Sequence, residues 1–184
     1  MNRHLISSVG IFAIACMMFT GVGCATAPRS EESRDALISR SQDALRQMKA
    51  NDSSLEGFLD RAYGYAIFPS VGKGAWIVGG AYGRGVVFEQ GKMIGFADLT
   101  QASVGLQAGG QTYMELVVFE TKDTLENFKS GKLTFAANVS AVILKTGAAS
   151  AARFTNGIAV FVNPIGGAMV EAALGGQQFT FQPI

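Results

Sequence analysis

The sequence predicts an α+β domain: a strongly curved antiparallel β-sheet or partial barrel, with N-terminal helices and one inserted helix. Three observations predict it. Helical periodicity is confined to residues 31–62 and one later segment. From Ala66 onward, short runs of β-branched and aromatic residues alternate with turn residues. Glycine recurs inside those runs, most densely in YAIFPSVGKGAWIVGGAYGRG (65–85), then in VGLQAGGQTYMEL (104–116) and GGAMVEAALGGQQFTF (166–181). Glycine in a strand costs backbone entropy, so its repeated use marks a sheet that bends or packs very closely.

The elements follow in order. SEESRDALISRSQDALRQMK reads as a helix: Leu37, Ala44, Leu45 and Met48 recur at helical spacing, Ser41 interrupts the stripe, Ser33 caps the start and Asn51-Asp52 ends it. A second, short helix begins at Ser53, with Glu56 completing a capping box and Leu55, Phe58 and Leu59 forming its apolar face. Strands are expected at Ala75–Gly79, Gly85–Glu89, Met93–Leu99, Ser103–Ala108, Thr112–Phe119, Phe135–Val142, Gly157–Val162, Ala168–Ala173 and Gln178–Gln182. Turns are expected at Gly79-Gly80, Gln90-Gly91, Gly109-Gly110, Asn163-Pro164 and Gly175-Gly176. The inserted helix starts at Asp123-Thr-Leu-Glu126, turns Leu125 and Phe128 inward and stops at Gly131. Lys145 to Arg153 reads as a loop, and Trp76, Tyr82 and Phe88 as core aromatics. GGQ occurs at 109–111 and 175–177, too short a match to establish a repeat.

The N-terminus reads as an export signal. Arg3 gives a positive start, Leu5 to Phe19 is mostly apolar but short for a membrane span, and small residues lead to Cys24 in TGVGC. This pattern predicts a lipoprotein signal peptide over 1–23, lipidation at Cys24, a tether over 24–30 and a single domain over 31–184, helical to 62 and mainly β from 66. Gly21 departs from the usual Leu three positions before the cysteine. Ordinary cleavage near Ala25 or Ala27 is the alternative. Ala25, in place of the aspartate that retains enteric lipoproteins at the inner membrane, favours the outer membrane, facing the periplasm.

Composition excludes several function classes. Fifteen Lys and Arg stand against fourteen Asp and Glu. Nucleic acid, which demands a strong positive field, is therefore not an expected partner. The sole histidine, His4, lies in the expected signal. Its loss argues against histidine-dependent catalysis and common zinc sites. Ser70-Val-Gly-Lys73 and Lys145-Thr146-Gly147 match two pieces of the serine penicilloyl-enzyme pattern, but the middle element is missing. Gly72 and Gly74 begin a dinucleotide fingerprint that fails at Ile77, and no Walker loop is present. The carboxylates Glu89, Asp98, Glu115, Glu120 and Glu171 are scattered and read as solvated charges. No cofactor, metal or catalytic residue is expected.

The pieces AIFPSVGKG, GGAYGRGVVF, GLQAGGQ and GGQQFTFQP, in this order, resemble the SYLF domain family, and most closely its bacterial members. The resemblance runs from about Leu55 to the C-terminus. It implies a non-enzymatic lipid-binding module that prefers acidic phospholipids, phosphoinositides in eukaryotes. Eukaryotic members also associate with actin.

Two groups of basic residues are candidate headgroup contacts. Lys73 and Arg84 stand between glycines (GKG and GRG), whose backbone amides would help to hold a phosphate. Arg40, Arg46 and Lys49 lie on the first helix, in the region the family implies as the membrane contact. Glu31, Glu32, Asp35 and Asp43 offset much of that helix's charge. Two rival functions remain open: a structural envelope protein docking a protein partner, and a periplasmic carrier holding an acyl chain inside the curled sheet.

Overall fold

The glycine-rich stretch at 65–85 forms most of two twelve-residue strands. The computed structural model describes residues 30–75, 78–104, 109–133, 135, 141–166 and 176–184. Cys24, Trp76, Glu171 and the strand expected at Ala168–Ala173 lie outside the described residues. The elements run α1 (Glu31–Asn51), α2 (Ser54–Leu59), β1 (Gly64–Ala75), β2 (Val78–Glu89), β3 (Lys92–Val104), β4 (Gly109–Phe119), α3 (Lys122–Lys129), β5 (Val142–Ile143), α4 (Ala148–Ala151), β6 (Ile158–Gly166) and β7 (Gln177–Pro183). The strands form one sheet in the order β5-β6-β4-β1-β2-β3-β7, antiparallel except for the short β5–β6 pairing. The expected α+β class is therefore observed.

The sheet is open but strongly curled. On β4, Tyr113, Val117 and Phe119 join the inner core, and Met114, Leu116 and Val118 join the outer one. Strands β4 and β7 are four places apart, which is about 19 Å across a flat sheet. Yet Gln177 Nε2 on β7 donates to Glu115 Oε2 on β4 at 3.0 Å. The rings of Phe68 on β1 and Phe179 on β7 also lie 5.9 Å apart. Only a curled sheet brings these residues together.

Glycine makes one close approach possible. β1 carries a bulge around Pro69, which shifts its register against both neighbours. Opposite it on β2, a Cβ on Gly85 would sit 2.5 Å from Ile67 O and 2.7 Å from the Phe68 ring, and one on Gly83 would sit 2.8 Å from Val71 Cγ2. The bulged strand leans into the space those side chains would fill.

The inner core is built from aromatic rings. Phe128 of α3 lies 4.9 Å from Phe119 and 5.1 Å from Phe179, and Phe135 lies 5.2 Å from Phe179. Outside, α1 crosses the strands. Leu37 packs on Val86 and Phe96 of β2 and β3, Ala44 and Met48 pack over β1 and β4, and Asn51 Nδ2 donates to Asn163 Oδ1 of β6 at 2.9 Å. From Leu37 to Asn51 a helix rises about 21 Å, close to the roughly 19 Å from β3 to β6. Ser41 does not interrupt the stripe; it is fully buried between Leu37 and Ala44.

Several local expectations are corrected. The N-cap of α1 is Ser30, whose Oγ accepts from Ser33 N at 3.2 Å. Ser53 makes no side-chain cap for α2; Asp52 Oδ1 accepts from Ser54 N instead. Gly79-Gly80 lies within β2 and Asn163-Pro164 within β6. The loop expected at Lys145–Arg153 contains α4. Tyr82 is exposed, and Phe88 is partly buried, stacked on Tyr65 at 4.9 Å.

Candidate functional site

The candidate basic residues fall into different settings. Arg84 is on the outer face of β2, 43% exposed. Its Nε donates to the Tyr82 hydroxyl at 2.6 Å and lies 3.6 Å from Asp98 Oδ1 on β3, while the Tyr82 hydroxyl donates to Asp98 Oδ1 at 3.1 Å. This is an aromatic-backed ion pair at the surface. On α1, Arg40 Nε donates to Ala36 O, Arg46 pairs with Asp43, and Lys49 Nζ lies 3.1 Å from Glu56 Oε1 of α2. Arg84 and α1 share the outer face, since Leu37 packs on Val86, two residues along β2 from Arg84.

Lys73 and Arg84 do not sit in turns. Both are strand positions, their backbones in ladders with neighbours on either side: Lys73 opposite Ala81 and Gln111, Arg84 opposite Ser70 and Asp98. Ala81 belongs to the inner core, whereas Arg84 is exposed outside. The two backbone positions therefore belong to different rows of the sheet. One phosphate between them, framed by loop amides, is not what this backbone offers.

A second cluster lies inside the curl, and sequence reasoning missed it. Register places Gln111, Lys73, Ala81, Gln101 and Gln177 in one row across β4, β1, β2, β3 and β7. The glutamines of both GGQ pieces stand in this row. Gln101 and Gln177 are buried, and Glu115, expected at the surface, is fully buried beside them. Gln177 Nε2 is bonded to Glu115 Oε2, leaving Glu115 Oε1 and Gln177 Oε1 buried without a hydrogen-bond partner. Burial pushes the Glu115 carboxyl up to about 8, a rise only partly offset by the Gln177 hydrogen bond, so it holds its proton at neutral pH. Burial, then the neighbouring Glu115, raises the Tyr113 hydroxyl as well. One signal in YMELVVF gives the position away: by strand parity, Glu115 shares a face with Tyr113 and Val117.

A third polar centre joins the helices. Asp52, just past α1, is 1% exposed. Its carboxylate accepts from Ser54 N and Oγ at the start of α2, and from Gly147 N and Ala149 N at the start of α4. Desolvation alone would raise its pKa, but these hydrogen bonds outweigh it and hold the carboxyl below the ordinary value. Among the described residues no cluster of three His, Cys, Asp or Glu is placed to hold a metal ion, and no helix is long and apolar enough to cross a membrane.

Comparison with known proteins places this architecture. Residues 100–180 match the Ysc84 family, described as "Las17-binding protein actin regulator". That segment contains Gln101, Tyr113, Glu115 and Gln177; Lys73, Arg84 and α1 precede it. Beta cell expansion factor A of Aeromonas veronii is 25% identical over 152 residues, which are 82% of this chain and 58% of that protein. The chain thus spans little more than half the length of that relative. With the glycine-rich strands and curled sheet in place, these matches show that the chain is similar to the Ysc84/SYLF family over its C-terminal half.

Proposed function

We propose that the chain is a membrane-associated, non-enzymatic module that binds acidic phospholipid headgroups through its outer face. The family suggests a lipid-binding or actin-regulator-like role and is generally non-enzymatic. One observation carries the choice of surface: α1 and Arg84 share the outer face, while Phe68, Phe119, Phe128, Phe135 and Phe179 pack the inner core. Packed rings favour surface contact over an acyl chain carried inside. Arg84, Arg40, Arg46 and Lys49 are the headgroup contacts in this reading. Lys73 belongs to the other row and ranks below them. Cys24 carries the acyl anchor that keeps the domain at the outer membrane, on its periplasmic side.

Flotation with vesicles tests the headgroup reading. Phosphatidylglycerol vesicles should bind the domain more tightly than phosphatidylcholine vesicles, and added salt should weaken the difference. Each outer basic residue near the surface contributes about 1 kcal/mol, so Arg84→Ala with Arg40→Ala should reduce binding by well over tenfold. Lys73→Ala should leave it nearly unchanged. Equal binding to both vesicles rejects the headgroup reading, and a loss confined to Lys73→Ala moves the contact to the inner row. The anchor has its own check. Mass spectrometry of membrane-extracted protein should find a diacylglyceryl group on Cys24, and a free N-terminus at Ala25 or beyond would refute it.

A further inference from the structure

The two ends of the curled sheet differ in charge. At one end, the strand ends and turns carry Glu89, Lys92, Glu120, Lys122 and Asp123. The other end begins beyond Arg84 and Asp98. There the described strand segments, 71–75, 78–83, 99–104, 109–114, 164–166 and 177–179, hold a single charged residue, Lys73. The sequence between those strand ends, at 76–77, 105–108 and 167–175, adds one more, Glu171. This second end faces solvent. One row runs from Gly166 on β6 through Thr112, Gly72, Tyr82 and Thr100 to Gln178 on β7, and all but the partly buried Thr112 are exposed. Among the described residues three large hydrophobic side chains are exposed, and two of them lie here: Tyr82 at 43% and Ile165, beside Gly166, at 51%. The third is the last residue, Ile184.

We propose that this end of the sheet docks on an anionic lipid bilayer, with Tyr82 and Ile165 entering the interfacial layer and Arg84 behind them at the phosphates. The proposal rests on the headgroup reading above and adds the orientation that reading lacks. Charge is costly where lipid replaces water, whereas tyrosine, with an apolar ring and a polar tip, settles at the boundary. An end nearly free of charge that exposes Tyr82 and Ile165 suits that boundary, and the end with Glu89, Lys92, Glu120, Lys122 and Asp123 suits water. Arg84 lies two residues along β2 from Tyr82, about 7 Å toward the charged end, and donates to its hydroxyl. The same hydroxyl donates to Asp98, so the ring is held by two partners. One orientation of the domain therefore sets an amphipathic ring and a guanidinium at successive depths.

The chain carries its own probe. Its sole tryptophan, Trp76, belongs to the two-residue connection between β1 and β2 at this end. The full chain is floated with phosphatidylglycerol vesicles, with and without lipids brominated high on their acyl chains, so that only bound protein is read. Trp76 emission should shift to the blue and be quenched by the brominated lipids. In Trp76→Phe with Lys122→Trp, the tryptophan at the charged end should show neither change. Tyr82→Ser with Ile165→Ser should weaken binding by about tenfold or more, the loss expected when two apolar contacts are removed. Tyr82→Phe, which keeps the ring, should retain most of the binding. Quenching of Trp76 without any preference for phosphatidylglycerol over phosphatidylcholine supports docking by this end and rejects the headgroup reading. That preference with an unquenched Trp76, or with quenching at position 122 instead, overturns the docking proposal alone and leaves the uncharged end to a protein partner. A chain that floats with neither vesicle overturns both. If the doubly substituted chains do not fold, Trp76 in the unsubstituted chain decides alone.

Discussion

Asp52 and Glu115 are both buried carboxyls, 1% and 0% exposed, yet their surroundings drive them to opposite charge states. Asp52 stands where two helices begin, and each beginning supplies backbone N–H groups that no helical carbonyl can take. Four donors converge on its two oxygens, and the charge is stabilised by the peptide groups it caps. Glu115 stands on a strand, where the ladder already uses the backbone donors, so only side chains remain to meet it. It receives one amide hydrogen and keeps its proton. Water reaches neither carboxyl, but Glu115 lies deep in the packing and Asp52 only just beneath the surface. The supply of donors, which secondary structure sets, adds to that difference.

The most severe test of the comparison removes the ion that is well served. Asp52→Ala leaves the amides of Gly147 and Ala149 without their acceptor and unties α2 and α4 from the end of α1. Deleting a buried, multiply bonded charge of this kind costs about 3–5 kcal/mol. Urea unfolding should show a loss in that range, and a loss under 1 kcal/mol would mean that water replaces the carboxylate easily. The acid limb has a definite sign. The Asp52 pKa is lowered on folding, so its stabilisation is present above the unfolded value and disappears as pH falls through the folded one. The wild type should therefore lose stability on acidification faster than Asp52→Ala.

Glu115 should behave in the opposite sense and more mildly. Its pKa rises on folding from the ordinary carboxyl range to about 8. Between those values the folded state holds a proton that the unfolded state has lost, so stability declines as pH rises from about 4.5 to about 8 and is flat beyond. Glu115→Gln has no such slope. The two chains should be nearly equally stable at pH 4. At pH 9 the variant should be more stable by on the order of a few kcal/mol, since each pH unit between the unfolded and folded pKa values costs the wild type about 1.36 kcal/mol. Parallel pH curves for the two chains would show that Glu115 is ionised and well partnered throughout, and the contrast with Asp52 would be lost.

The sequence hides the surroundings of both carboxyls, for different reasons. The end of α1 at Asn51-Asp52 is legible because helix ends are written locally, as are α3, with its Gly131 stop, and the Gln90-Gly91 turn. The partners of Asp52 at Gly147 and Ala149 are nearly a hundred residues away, and no local pattern announces them. Asn163-Pro164 reads as a turn, but it lies in β6 where β5 pairs only with Phe161 and Val162, so the missing proline N–H disrupts no pairing with β5. For the inner row, both GGQ pieces are visible as a pair. That they face each other depends on register carried through β1, β2 and β3 and on how far the sheet curls, neither of which is a property of three residues. The parity of Tyr113, Glu115 and Val117 is the available local clue. Without it, a core residue reads as a surface charge.

The smallest expected effect sharpens the account of Asp52, because it separates the hydroxyl from the peptide donors. Ser54 Oγ donates to Asp52 Oδ1 at 2.6 Å and accepts from Ser150 N at 3.0 Å. Ser54→Ala removes both bonds but keeps the Ser54 amide on the same carboxylate oxygen. Ser150 is exposed, so water takes over its amide, and the net loss is essentially one charge-assisted hydrogen bond, about 1–1.5 kcal/mol. Stability alone would not distinguish this from any small cavity. The titration does. After desolvation, the Ser54 hydroxyl is the leading influence on the Asp52 pKa, so the carboxyl carbon of Asp52, followed by NMR, should titrate at a higher pH in Ser54→Ala while remaining a folded-state signal. If stability falls and that midpoint stays where it was, the peptide N–H groups alone hold the charge. Beyond the depth at which each lies, the difference between Asp52 and Glu115 would then reduce to the helix beginnings that one of them caps and the other lacks.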